Sequence, residues 1–297
     1  MNTTECSYLI VDWGTTNFRA FAMSKNDELL ATKELGMGLL QVKDQKFSES
    51  LQEVLEGWLP SYQQLPIYMA GMVGSLKGWV NVEYAKAPAG VLDLTAKAHK
   101  FTLPWGAKAT IIPGVCYPYE EDKFDVMRGE EVQIIGLSQL IGKQDFCSIL
   151  PGTHSKHIQF ADGKLSSFSS YLTGEMFDVL TKHSLLGKGL SESSNDEEAF
   201  IKGVKDGQQG EFTNRIFLAW TNRLFGQLED VQIPDYLSGL LIGFELRNLT
   251  EKHVYLVGGS SLSKRYQTAT NSLGINSTLC SGNECFLAGM KLLIKEF

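Results

Sequence analysis

The chain has no run of eighteen uncharged apolar residues, no lysine- or arginine-rich tract and no CxxC pair, and each absence closes a class of function. Lacking the first, it offers no membrane-spanning helix, and its opening MNTTECSYLI lacks the basic segment and long apolar stretch of a secretion leader. Lacking the second, and with a net charge of −7, it gives nucleic-acid binding no electrostatic support. Five cysteines (Cys6, Cys116, Cys147, Cys280, Cys285), an odd number with Cys147 inside an apolar strand, predict reduced structural thiols in a soluble, cytoplasmic protein. The five histidines show no HExxH or comparable spacing, so no zinc centre is expected. Long linkers and low-complexity stretches are also missing. What remains, 297 residues with 43% hydrophobic and 21% charged content, suits two globular lobes that each bury a core.

Residues 8–17, YLIVDWGTTN, return in altered form at 146–155, FCSILPGTHS. At a constant offset Gly14 meets Gly152, Thr15 meets Thr153, and Gly36 meets Gly174. Both copies read as strand, glycine turn, strand, polar hairpin turn (Asn26-Asp27; Asp162-Gly163) and a third strand, the pattern of a duplicated domain. A glycine followed by small hydroxyl residues lets backbone N–H groups approach an anion closely, because no Cβ holds it off. Two such turns facing each other would grip one polyphosphate. Asp12, at the end of the first strand, is a carboxylate suited to hydrated Mg²⁺; the second copy has Leu150-Pro151 there, so the lobes differ in role.

Apolar spacing at Phe47, Leu51, Val54, Leu55 and Trp58 predicts a helix ending at Pro60. Residues 65–69 read as a buried strand running into the small-residue loop 70–75, AGMVGS, a common ligand position at strand ends. A strand at 109–112 is expected to lead into an acidic loop ending at Val126, followed by a helix over 129–140. In the second half we expect a helix over 174–185, a polar surface loop over 191–196, helical patterns from 197 to 228 without a counterpart in the first half, and then strand 254–257, Gly258-Gly259-Ser260, a helix, strand 275–279 and a final helix over 283–295. The expected architecture is two α/β lobes about a cleft, divided as 1–142 and 143–297.

These motifs resemble the sugar-kinase, actin and heat-shock-chaperone ATPase superfamily, whose members share two phosphate hairpins, two interlobe helices and a glycine-rich adenosine loop. Asp12-Trp13-Gly14-Thr15-Thr16 looks like the first phosphate loop, residues 151–156 (PGTHSK) the second and residues 257–260 (VGGS) the adenosine loop. The helices after Gly129 and Gly282 look like the connectors. More narrowly, DWGTT, AGMVGS, Gly78-Trp79, MRGEEVQ, LPGTHSK and LTGEMF together resemble the 2-dehydro-3-deoxygalactonokinase family over nearly the whole chain. His157 departs from the aromatic residue expected there, and Lys77 lies in a stretch that varies. The resemblance implies an α/β two-lobed actin-like (duplicated ribonuclease-H-like) fold with an interlobe cleft. It further implies ATP and Mg²⁺ as cofactors and phosphorylation of 2-dehydro-3-deoxy-D-galactonate at its terminal hydroxyl, in galactonate catabolism. The alternatives are a kinase of this fold for another sugar or sugar acid, and a nucleotide-driven regulator without small-molecule kinase activity. No nucleic-acid or membrane partner is expected, and a homodimer is compatible with the chain.

Phosphoryl transfer needs the phosphates held, their charge neutralised and the attacking hydroxyl aligned. Asp12 is the expected Mg²⁺-water ligand. Gly14, Thr15 and Thr16 are expected to hold phosphate with Gly152, Thr153 and His154 opposite, and Gly258, Gly259 and Ser260 to hold the adenosine. Arg19 either reaches the transferring phosphoryl group or forms a surface salt bridge. Glu130, next to Glu131 at a helix start, takes the position of the base by its resemblance to glycerol-type kinases; the alternative is that both only cap the helix. Arg128, Lys77 and the amides of Gly74 and Ser75 are candidates for the substrate carboxylate, with Trp79 or Tyr84 covering the carbon chain. For Trp79, core packing is an equal alternative.

Overall fold

The computed structural model describes residues 5–190, 193 and 195–297. The expected polar loop at 191–196 therefore falls partly outside the described residues.

In the first half, β1 (Cys6–Trp13), β2 (Phe18–Ser24) and β3 (Leu29–Leu35) form an antiparallel meander. Its strands are short alternating or apolar runs separated by turns whose Asp27 holds φ 62°, a conformation aspartate tolerates. Helix α1 (Phe47–Glu56) buries Phe47, Leu51 and Leu55, the face predicted by their spacing. Then β4 (Ile67–Ala70) lies parallel to β1. After β5 (Ala85–Lys86) and α2 (Val91–Lys97), β6 (His99–Thr102) pairs antiparallel with β7 (Lys108–Ile111), which is parallel to β4.

Residues 113–126 are not the acidic loop expected. They form a hairpin, β8 (Val115–Glu120) and β9 (Lys123–Met127), that makes a small sheet with β5. The alternation of Val115, Tyr117 and Tyr119 with Phe124 and Val126 is a strand pattern, and the acidic residues are its turn, with Asp122 at φ 58°. Helix α3 (Glu130–Ile141) follows.

The second half opens with β10 (Phe146–Leu150), β11 (Ser155–Ala161) and β12 (Lys164–Tyr171), then α4 (Thr173–His183). Helices α5 (Glu197–Gly207), α6 (Phe212–Ile216) and α7 (Leu218–Leu224) fill the expected helical block. Helix α8 (Ile233–Leu246) was not legible: it is apolar on nearly every side and buried along nearly its whole length, so it shows no helical period. Gly203 and Gly207 on α5 face Gly239 and Gly243 on α8, and each would strike the other helix's backbone if given a Cβ. The chain ends with β13 (His253–Gly258), α9 (Ser260–Ser272), β14 (Asn276–Ser281) and α10 (Gly282–Ile294).

The large sheets run β3-β2-β1-β4-β7-β6 and β12-β11-β10-β13-β14. Apart from the added β6 they share one strand order, so the duplication suggested by the two glycine turns extends to the topology of each half. This is the duplicated α/β fold of the actin-like ATPases.

By spatial proximity the chain divides into two compact units. The first comprises Met1–Asp145, Phe160–Ser167 and Asn283–Phe297, and the second Phe146–Gln159 and Phe168–Gly282. This differs from a single cut after residue 142 in grouping Phe160–Ser167 and the last fifteen residues with the first unit. The last fifteen join it through the contact of α10 with α3: a Cβ on Gly289 would lie 2.0 Å from the Val132 carbonyl oxygen, and one on Gly136 would lie 1.8 Å from that of Cys285. Phe286 is buried and packs on Phe21 of β2, 6.2 Å between ring centres.

Because backbone meets backbone at the α3–α10 contact, Gly289→Ala should lower stability by about 1–3 kcal/mol, the usual cost of overpacking. Gly36→Ala, with open space around the added methyl, should leave it nearly unchanged. Urea unfolding of both variants checks this; an unshifted midpoint for Gly289→Ala would show that the helices can separate at little cost.

Candidate active site

The first glycine turn is braced from behind. The Gly14 amide donates to the Asn17 carbonyl at 2.9 Å, closing the turn, while the carbonyls of Gly14, Thr15 and Thr16 accept from the amides of Leu39, Leu40 and Gly38 at 2.9, 3.2 and 3.0 Å. A Cβ on Gly38 would lie 2.3 Å from the Thr16 nitrogen, so only glycine lets the second segment lie this close. The Trp13 indole, fully buried, donates to the Met37 carbonyl at 3.1 Å and pins the same segment. Thr15 and Thr16 are left exposed.

The second turn repeats the device within its own unit. Gly174 lies against it, its absent Cβ 2.5 Å from the Gly152 carbonyl oxygen, and the Glu175 amide donates to the Thr153 carbonyl at 3.0 Å. His154 contacts the Glu175 carboxylate at 2.6 Å, both half-exposed. The partner of Gly174 is thus Gly38, not the Gly36 of a fixed offset. The first hairpin connects β2 to β3 through residues 25–28, whereas β11 and β12 are joined by Asp162-Gly163 alone, and those two extra residues shift the correspondence.

Asp12 and Arg19 are cross-strand neighbours in β1 and β2, and their side chains form an ion pair; Arg19 also donates to Asn283 Oδ1. Of the two roles open to Arg19, the structure shows a salt bridge, and one that holds the candidate metal ligand. Burial raises the Asp12 carboxyl above its ordinary value, an effect that Arg19 only partly opposes. Among the described residues no three histidine, cysteine or acidic side chains cluster as a metal cage. A single carboxylate nonetheless fits Mg²⁺, which keeps several waters and takes other ligands from substrate phosphates.

At the end of the neighbouring strand β4, Gly71 holds φ 92°, and a Cβ there would lie 3.1 Å from Asp12 Oδ1. Gly129, at φ 111°, approaches Gly71 in turn, its absent Cβ 3.4 Å from the Gly71 Cα. These contacts bring the start of α3 to Asp12. There the two glutamates separate. Glu131 is fully buried, and both its oxygens accept from the Gly129 amide, at 2.8 and 2.7 Å, so it caps the helix. Glu130 is partly exposed and accepts from the Arg128 amide at 3.0 Å. Burial, reinforced by the charge of Glu130, pushes the Glu131 carboxyl up to about 8 despite its hydrogen bonds.

Arg128 is 8% exposed. Its guanidinium lies 4.3 Å from the centre of the Tyr84 ring, and Nη2 donates to the Val82 carbonyl at 2.9 Å. Its Nε and Nη1 are buried without a hydrogen-bond partner, and so is the hydroxyl of Ser75. Nη1 packs where Gly74 lacks a side chain, 3.0 Å from the position of a Cβ. Lys77 is exposed. Trp79 stacks on Phe47 and meets Phe101 edge-on, 6.2 and 5.4 Å between ring centres, so its role here is core packing.

In the second unit, Gly259 and Ser260 are exposed where α9 begins, and Gly258 lies near the Pro151 carbonyl, 3.7 Å from its missing Cβ. A largely apolar cavity of about 180 Å³ is lined by Gly152, Gly174 and Phe177 and, from α9, by Leu262, Arg265 and Tyr266. Arg265 is held by Asp235 at 2.7 Å. The sequence reading assigned no role to Glu245, which lies within an apolar stretch of α8; in the structure it accepts from Ser155, the residue after the second turn, at 2.7 Å. His157, lacking the expected aromatic bulk, still packs against Tyr171 in a tilted pair, 4.6 Å between ring centres.

A family model described as 2-keto-3-deoxy-galactonokinase matches residues 12–293. The chain is 33% identical to the 2-dehydro-3-deoxygalactonokinase of Escherichia coli (strain K12), covering 96% of each chain. It is also similar to a Sinorhizobium meliloti crystal structure provisionally named for the same enzyme, at 28% identity and a TM-score of 0.90 over 97% of this chain and 98% of that one.

The raised carboxyl of Glu131 sets a sign for the pH dependence of stability. Below the ordinary value of 4.5 both states are protonated; above it the unfolded chain releases the proton first, so stability should fall as pH rises toward about 8. Glu131→Gln keeps an oxygen for the Gly129 amide and should flatten that decline. Urea midpoints between pH 5 and 9 measure it, and equal slopes in the two proteins would show that Glu131 ionises normally.

Proposed function

Since the chain belongs to the 2-keto-3-deoxy-galactonokinase family, we propose that it transfers the terminal phosphoryl group of ATP to the terminal hydroxyl of 2-dehydro-3-deoxy-D-galactonate, giving the 6-phosphate. The observation that carries the substrate class is Arg128, whose Nε and Nη1 donors are buried without acceptors, as is the hydroxyl of Ser75, the residue after the Gly74 on which Nη1 packs. Unsatisfied buried donors are rare and costly, and a carboxylate is the group that satisfies a guanidinium fork most fully. A neutral sugar has no such group to offer. Tyr84, stacked under Arg128, holds the fork in place, and the Gly74 backbone lies beside it. Exposed Lys77 is left as a peripheral cation, and Trp79 supports the wall through the core.

Glu130 is the acceptor of the substrate hydroxyl proton. The buried Glu131 is occupied in capping α3, so of the two it is Glu130 that has access to solvent and substrate. A carboxylate at a helix N-terminus is a weak base, so it orients the hydroxyl and takes its proton late in the transfer. Asp12 would hold Mg²⁺ through water, with Arg19 fixing the carboxylate and adding positive charge beside the phosphates. The ion would neutralise charge on the phosphate oxygens. In the first unit Gly14, Thr15 and Thr16 supply backbone and side-chain donors to phosphate, and in the second unit Gly152, Thr153 and His154 do so. Gly258, Gly259 and Ser260 with the α9 side of the cavity take the adenosine. No disulfide joins the five cysteines, which supports a cytoplasmic setting, and among the described residues no helix is long and apolar enough to cross a membrane.

Glu130→Gln should leave folding and nucleotide binding intact and lower kcat by roughly 10²–10⁴-fold, the range of a general base. Wild-type turnover would remove Glu130 from the mechanism. Arg128→Ala should raise the KM for the sugar acid by about 10–100-fold, as expected for lost charge-assisted hydrogen bonds, and that for ATP far less. Steady-state kinetics with each substrate varied in turn separates the two, and equal rises would refute the carboxylate role.

A further inference from the structure

We propose that Glu245 is the positioning residue of the nucleotide half, setting the phosphate turn and the cavity wall in one fixed relation. It is 3% exposed, one residue from the end of α8, and it gathers four donors from three separate segments. Ser155 Oγ and His157 Nε2 reach its Oε1 at 2.7 and 2.8 Å, and the Tyr266 hydroxyl reaches Oε2 at 2.7 Å. The Thr173 hydroxyl donates to Oε2 as well. A carboxylate offers about four acceptor sites, so this one is saturated.

Three of the four donors sit where the nucleotide reading needs precision. Ser155 follows the turn of Gly152, Thr153 and His154. Thr173 begins α4, whose Gly174 and Glu175 brace that turn from behind. Tyr266 is on α9, the helix that starts after Gly258 and Gly259, and both Thr173 and Tyr266 line the cavity. The phenol of Tyr266 is raised well above its ordinary range by burial and by the charge of Glu245, which keeps it a donor. Apolar packing would stabilise such a core at least as well as a buried carboxylate does, because removing the charge from water is expensive. What the carboxylate adds is direction: all four donors must converge on one point, and that fixes three backbone segments at once.

The inference rests on the reading that this unit binds nucleotide, and it does not depend on which acceptor is phosphorylated. Its test is calorimetric binding of AMP-PNP with Mg²⁺, together with thermal denaturation, for Glu245→Gln, Tyr266→Phe and Thr173→Val in the full chain. Gln offers one acceptor oxygen and a competing NH₂, while Tyr266→Phe removes a single hydroxyl and keeps the proposal testable if Glu245→Gln does not fold. Loss of a charge-assisted hydrogen bond from the hub should raise the nucleotide Kd by about 10-fold. Tyr266→Phe should add little in a chain already carrying Glu245→Gln, since it acts through Glu245. The KM for the sugar acid should stay within about 2-fold of wild type. Variants that melt earlier yet bind AMP-PNP with the wild-type Kd would reduce Glu245 to a structural residue and overturn this proposal alone. Failure of the unaltered protein to bind AMP-PNP would overturn both this proposal and the kinase reading.

Discussion

The close approach of backbone to backbone behind each glycine turn is the constraint on which the rest depends. Gly38 against Thr15 and Thr16, and Gly174 against Gly152 and Thr153, leave no room for a methyl group. Behind the first turn the amides of the bracing segment take up the turn's carbonyls, and behind the second the Glu175 amide takes that of Thr153. A turn fixed in this way needs no side chain to hold its shape, so its side chains can be small and exposed. The same economy appears where Gly71 and Gly129 bring Asp12 and the start of α3 together, and where Gly136 and Gly289 let α10 lie on α3.

Around these turns ionisable groups are buried, and each has a different answer to the cost of leaving water. Asp12 has Arg19 across the strand pair. Glu131 has backbone amides but no cation strong enough to offset its burial, and burial wins, raising its carboxyl to about 8. Arg128 is held by one carbonyl and an aromatic face, with two donors left over. Glu245 has four donors and is saturated. Saturated groups stiffen a scaffold, while a group with donors left over points to a ligand. On that reasoning Arg128 is the group proposed to meet substrate and Glu245 is part of the framework, while Glu131 is occupied in capping α3.

Much of this was legible in the sequence because glycine turns and strand alternation are local signals. The repeat of the two turns predicted a duplicated domain, which the shared strand order of the two sheets bears out, and the spacing of Phe47, Leu51 and Leu55 predicted α1. Correspondence beyond the turns was less secure, since a four-residue connection in one hairpin and a two-residue connection in the other displaced Gly36 from the place that Gly38 takes. The hairpin at 115–127 was hidden by its acidic turn, and α8 by its even burial, which erases the helical period. Position alone favoured Glu130 over Glu131; seeing that Glu131 is buried in capping, that Trp79 faces the core and that two Arg128 donors are left over required burial, which sequence spacing does not carry. Glu245 could be found only once three distant segments were seen to converge on it.

The central claim is that this chain is a kinase whose acceptor is an anionic sugar acid. The most direct measurement is ADP release by the purified protein with ATP and Mg²⁺ across a panel containing 2-dehydro-3-deoxygalactonate, its gluconate epimer and neutral sugars. The account predicts turnover with the galactonate compound and none with neutral sugars. Turnover with a neutral sugar in preference to the acids, or no acceptor-dependent ADP release at all, would contradict it.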